Sequence, residues 1–142
     1  MKPTKHSVAF VIYNSNYDKF LIVQRPPDDD LLPNVWGLPA GSLNEGEIFE
    51  DAVIRAAMDK LGVKVEVIGL VGEGELERGQ YILHMKEFEA KIANGTPSVP
   101  QNVSGVTQYS KWKWGMANDL IEAAQKGSLC SRLYLKSINK SW

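Results

Sequence analysis

Apolar residues recur along the chain in short strand-like runs and, in one stretch, at the helical period. His6–Tyr13 and Phe20–Gln24, both rich in Val, Ile, Leu or aromatic residues, flank the turn-forming run Asn14, Ser15, Asn16, Tyr17, Asp18, a pattern that predicts a β-hairpin. A loop follows through Pro26, Pro27, Asp28, Asp29, Asp30 and Pro33, where proline removes ladder donors, and it ends at a short extended segment, Trp36–Ala40. Over Glu47–Leu61 the residues Phe49, Val53, Ile54, Ala57, Met58 and Leu61 share one helical arc, which predicts a helix burying that face. Glu47, Glu50 and Asp51 suit the positive end of its dipole, and Gly62 stands where a left-handed C-cap is wanted. Val63–Val71 and Gln80–Ile92 read as strands joined through a turn containing Gly72, Gly74 and Gly79, and Asn94–Gly105 as a polar loop. Thr107–Trp114 reads as another strand, Asn118–Lys126 as a helix capped by Asn118, and Leu129–Ile138 as a last helix. That order predicts a mixed sheet with helices on its faces, an α/β or α+β layered domain.

A length of 142 residues fits one domain spanning 1–142. Apolar residues at 44% and charged residues at 23% place the chain among ordinary globular sequences. Sixteen Lys and Arg against 17 Asp and Glu leave a net charge of −1, so no bulk positive field favours nucleic acid or anionic lipid. The apolar run Val8–Tyr13 is too short for a membrane span or a signal-peptide core, so the expected location is cytoplasmic. Cys130 is the single cysteine, and no Cys or His pair has zinc-ligand spacing.

The chemistry concentrates in Trp36-Gly37-Leu38-Pro39-Ala40-Gly41, then Glu45-Gly46-Glu47, then a helix carrying Arg55, Asp59 and Gly62. This stretch resembles the signature of the Nudix hydrolases, the MutT-like family, with Gly41, Glu47, Arg55, Ala57, Gly62 and Val63 in register. The likeness extends to the Gln24-Arg25 strand end and to the Trp112 strand with the helix after it. The resemblance implies a Nudix-type α/β/α sandwich with a mixed sheet. It also implies hydrolysis of a phosphoanhydride in a nucleoside diphosphate linked to another moiety, with Mg²⁺ or Mn²⁺ as cofactor and pairing into a homodimer.

The box is degenerate at three glutamate positions, which are Ala56, Asp59 and Lys60 here. In the family those glutamates hold metal. Positions i, i+3 and i+4 share a helix face, expected opposite much of the apolar arc, and three carboxylates there would supply the oxygens a hard dication needs. An ammonium about 4 Å from a dication is repelled by roughly 8 kcal/mol at an effective dielectric near 20. The metal site is therefore expected to be weak or absent. Three rescues are open. Glu73, Glu75 and Glu77 alternate and either rebuild a metal site or form a solvated hairpin edge. Asp59 with Glu47 and substrate phosphate could hold one water-rich ion. Lys60 itself could contact phosphate as a point charge.

By the resemblance Glu47, Arg55 and Asp59 are the candidate catalytic residues, with Asp59 and Glu47 the weak metal ligands. Arg55 is equally placed for an i, i+4 ladder with Asp51 and Asp59. Arg25, Trp36 and Lys60 are the substrate-binding candidates: Arg25 grips a phosphate or pairs with Asp28, Asp29 or Asp30, and Trp36 stacks on a base or anchors its loop. Trp112 and Trp114, between Lys111 and Lys113, fit an inward strand face or a nucleic-acid platform. His6 and His84 have no evident partner, Cys130 fits an inert buried thiol, and Arg132, Lys136 and Lys140 form a basic helix stripe. Three functions stay open: a hydrolase of weak or altered activity, a ligand-binding module without turnover, and a scaffold with a vestigial cleft. A small-molecule nucleotide is the expected partner, with neither nucleic acid nor membrane.

Overall fold

The computed structural model describes residues 1–142. Strand β1 (Thr4–Ile12) runs through the middle of the molecule because its second half is apolar at every position. Val8, Phe10 and Ile12 enter one core, while Ala9 and Val11 enter another on the opposite face. A strand with both faces buried needs partners on both edges. On one side β1 pairs antiparallel with β4 (Ala40–Ser42), and on the other parallel with β6 (Ile82–Asn94), which pairs antiparallel with β5 (Lys64–Glu77). This makes a mixed sheet in the order β4-β1-β6-β5. A second sheet, β3-β2-β7, is built from β2 (Phe20–Gln24), β3 (Trp36–Gly37) and β7 (Lys111–Gly115).

The hairpin expected from His6–Tyr13 and Phe20–Gln24 is not formed. The two strands lie in different sheets and touch in ladder fashion only at a single Tyr13–Phe20 bridge. Asn14 explains the divergence: its side-chain oxygen accepts from the backbone N–H groups of Asp18 and Lys19, and Tyr17 adopts φ 57°, closing a loop rather than a two-residue turn. The β5–β6 turn also falls later than expected, at Arg78–Tyr81. Gly72 and Gly74 lie within β5, beside ladder irregularities between Val67 and Gly69 and between Leu70 and Gly72.

Helix α1 (Phe49–Leu61) ends at Gly62 with φ 70°, as a left-handed cap requires. Its buried face differs from the expected arc. Ala52, Val53, Ala56, Ala57, Lys60 and Leu61 are buried, whereas Ile54 and Met58 face solvent. The cause is the close approach of α1 to β4: a Cβ on Gly41 would sit 3.0 Å from that of Ala56, so small residues must line this side. The strand expected over Thr107–Trp114 shortens to β7. The helix expected over Asn118–Lys126 is a 3-10 turn (Ala117–Leu120) running into α2 (Ile121–Gln125), and the Asp119 carboxylate accepts from the Met116 N–H at its entry in place of an Asn118 cap. Helix α3 (Leu129–Ser137) starts at Ser128, whose hydroxyl accepts from the Ser131 N–H. The first core lies between α1 and the mixed sheet, and the second under α2 and α3, giving an α/β/α sandwich.

Candidate active site

The loop between β4 and α1 is clamped to the helix by Arg55. Its Nε and Nη2 donate to the two oxygens of Glu47 at 2.9 and 3.0 Å, and Nη2 also donates to the Ser42 carbonyl at 2.6 Å. Glu47 accepts in turn from the Asn44 N–H. The Arg55 hydrogen bonds hold the Glu47 carboxyl below its ordinary range, and the same bonds raise Arg55. Asp59 lies 3.6 Å from Nη1 of Arg55, while Asp51 is absent from the pairing. Half of the ladder along the helix therefore forms, to Asp59, and a clip to Glu47 in the loop stands in place of the Asp51 half.

Ala56 and Lys60 point inward. Lys60 is 9% exposed, and its Nζ donates to the Ala40 carbonyl at 2.5 Å while lying 5.1 Å from the centre of the Tyr109 ring. The Tyr109 hydroxyl donates to that same carbonyl and accepts from the Ala40 N–H. The lysine head is thus held inside and does not swing into water. It lines a cavity of about 220 Å³ between the mixed sheet and the start of α3, whose walls include Arg25, Gly41, Arg78 and Tyr109.

Arg25 reaches this cavity but is paired with Asp29 (Nε to Oδ2 3.0 Å), one of the three alternatives its sequence context allowed. Burial raises Asp29, but the Leu32 N–H and Arg25 together outweigh it and leave the carboxyl below its ordinary value. Trp36 packs against the second core with the Lys113 ammonium 4.5 Å over its ring, and Trp112 and Trp114 pack edge to face beside the first core.

The remaining carboxylates do not rebuild a metal centre. Glu73, Glu75 and Glu77 lie on the exposed side of β5; Glu73 bonds His84 and Glu77 bonds Lys2. His84 also meets His6 (Nδ1 to Nδ1 2.8 Å), because the parallel β1–β6 register sets those two residues side by side. Both histidines therefore have partners that their sequence spacing hid. No group of three His, Cys, Asp or Glu side chains converges closely enough to hold a metal ion.

Four residues of this region escaped the sequence reading. Tyr109 and Arg78 reach the cavity only through contacts that span dozens of residues, and Ser128 looks like an ordinary helix cap. Glu87 carried a usable signal, since it lies two residues from Met85 on β6 and so shares its inward face. It is 0% exposed, both carboxyl oxygens lack a partner, and burial pushes its pKa well up. Burial and then Glu87 raise the buried Cys130 thiol.

The NUDIX domain model matches residues 3–125. The chain belongs to the Nudix family. An RNA pyrophosphohydrolase of Sulfurovum sp. (strain NBC37-1) is 33% identical over 72 residues, a stretch covering 48% of this chain and 43% of that protein. The chain thus spans less than half of that relative. A MutT protein from Methanosarcina mazei Go1 superposes with a TM-score of 0.75 at 16% identity, covering 97% of this chain and 95% of the other. An ADP-ribose pyrophosphatase from Streptococcus suis does so with a TM-score of 0.65 at 15% identity, over 97% and 94%. Nudix hydrolases generally depend on a divalent metal, and the residues here do not fit one: a methyl at 56, an ammonium on the Ala40 carbonyl at 60, and an Asp59 beside Arg55. No helix is long and apolar enough to cross a membrane.

Proposed function

We propose that this Nudix protein binds a nucleoside diphosphate linked to another moiety in the cleft that Lys60 lines and hydrolyses the phosphoanhydride slowly. The family supports the class of reaction. The name of the partly matching RNA pyrophosphohydrolase supports the bond attacked. The observation that carries the attenuation is the Lys60 Nζ seated on the Ala40 carbonyl, a cation where an oxygen donor belongs. Lys60 and Arg25 supply positive charge that steadies phosphate oxygens, and the Arg55–Glu47 clip fixes the loop beside them. None of these groups generates a hydroxide from water, which is why turnover is slow.

The test is release of nucleotide or phosphate from a panel of nucleoside diphosphate derivatives, with Mg²⁺ or Mn²⁺ supplied. Slow turnover that rises at least about tenfold when Ala56→Glu and Lys60→Glu together exchange the lysine's charge for metal ligands supports the reading, whereas turnover indifferent to that double change overturns it. The same lysine contact favours a second reading, a binding module without catalysis, whose signature is ligand-induced thermal stabilisation with no product. We further propose a cytoplasmic location and a homodimer, the latter to be checked by light scattering.

A further inference from the structure

We infer that the cavity between the mixed sheet and the start of α3 is a metal-independent seat for a diphosphate group, with Lys60 and Arg78 as its charged walls. The inference rests on the Nudix reading of this cleft and adds to it how the ligand's charge is met. The walls of the cavity carry three cationic side chains, Arg25, Lys60 and Arg78, and no Asp or Glu. Arg25 is matched by Asp29, but Lys60 and Arg78 have no carboxylate within ion-pair distance. The partners they do have are neutral: the Ala40 carbonyl and the Tyr109 ring for Lys60, and the Gly127 carbonyl for Arg78. The Arg78 Nε is buried with no partner at all.

Enclosing an ammonium at 9% exposure without a counter-ion is costly, and a chain with 17 acidic residues had every opportunity to supply one. An anion from outside would relieve that cost. The first turn of α3, Ser128 to Cys130, lines the same cavity and adds the positive end of a helix dipole. Ser7, Thr107 and Tyr109 add hydroxyls to the walls. A volume of about 220 Å³ is small for a whole nucleotide but admits its diphosphate, so the site recognises the charged group. Two fixed cations and a helix end thereby neutralise charge that a divalent ion neutralises elsewhere, and no bond is made or broken.

The experiment is calorimetric titration of the full chain in EDTA at low salt, with inorganic pyrophosphate in one arm and ADP in the other. Pyrophosphate and ADP should both bind without metal, and excess Mg²⁺, which complexes both ligands in solution, should leave binding no tighter. Lys60→Met and Arg78→Met should each weaken binding at least about tenfold, and Lys60→Arg should restore most of it. Tighter binding of ADP assigns a nucleoside-linked diphosphate, and equal binding a diphosphate alone; both support the inference. Binding that appears only with Mg²⁺, binding unaltered in the methionine variants, or no binding at millimolar ligand overturns it. Arg78 sits at a partly exposed hairpin turn, so its variant keeps the test alive if Lys60→Met fails to fold. Binding in EDTA without turnover in Mg²⁺ removes the hydrolase reading and leaves this one standing, and the reverse result does the opposite.

Discussion

Glu87 and Glu47 show how differently one residue type behaves in the two settings this protein offers. Glu87 has its pKa raised by burial, so its stabilising contribution is fully present below the unfolded carboxyl value near 4.5 and is lost as pH rises through the folded value. Thermal melts from pH 5 to 9 should show declining stability, and Glu87→Gln should flatten that decline; a wild-type profile as flat as the variant's would sink the account. Glu47 runs the other way. Its folded pKa is depressed by Arg55, so its contribution is present above about pH 4.5 and disappears as pH falls through the folded value. Arg55→Met should cost about 1 kcal/mol at neutral pH, modest because the pair is partly exposed, and should weaken the acid-side dependence seen in denaturant titrations between pH 3 and 6, leaving the part that Asp29 and Glu73 contribute.

Among the elements, the α1–β4 contact carries the clearest mechanical prediction. Because a Cβ on Gly41 would meet Ala56 at 3.0 Å, Gly41→Ala should push α1 off the sheet and cost about 1–3 kcal/mol by urea denaturation. An unchanged midpoint would mean that the helix has room to give. This contact also explains what the sequence could reveal about α1. Its ends were legible, since Gly62 and the acidic first turn are local signals. Its buried face was legible in part: Val53, Ala57 and Leu61 are inside as hydropathy predicts, but the demand for small residues opposite Gly41 and the reach of Lys60 to Ala40 rotate the helix so that Ile54 and Met58 face solvent. The same division runs through β1 and β2, where composition identified both strands but not their separation into two sheets. In the site, the departures at 56, 59 and 60 could be read directly, whereas Tyr109 and Arg78 arrive through contacts no local window contains.

For the whole molecule, the scatter of its carboxylates predicts that divalent cations leave the stability of the fold unchanged. Melting temperatures in EDTA and in millimolar Mg²⁺ should coincide within error, and a rise with Mg²⁺ would expose a metal site that the side-chain arrangement does not provide. The position of β1 between both cores has its own consequence. Val8 to Phe10 are walled by apolar groups above and below and flanked by backbone on both sides. Their amides therefore meet deuterium only when everything opens together, making this stretch the slowest clock in the protein and a direct gauge of its global unfolding free energy.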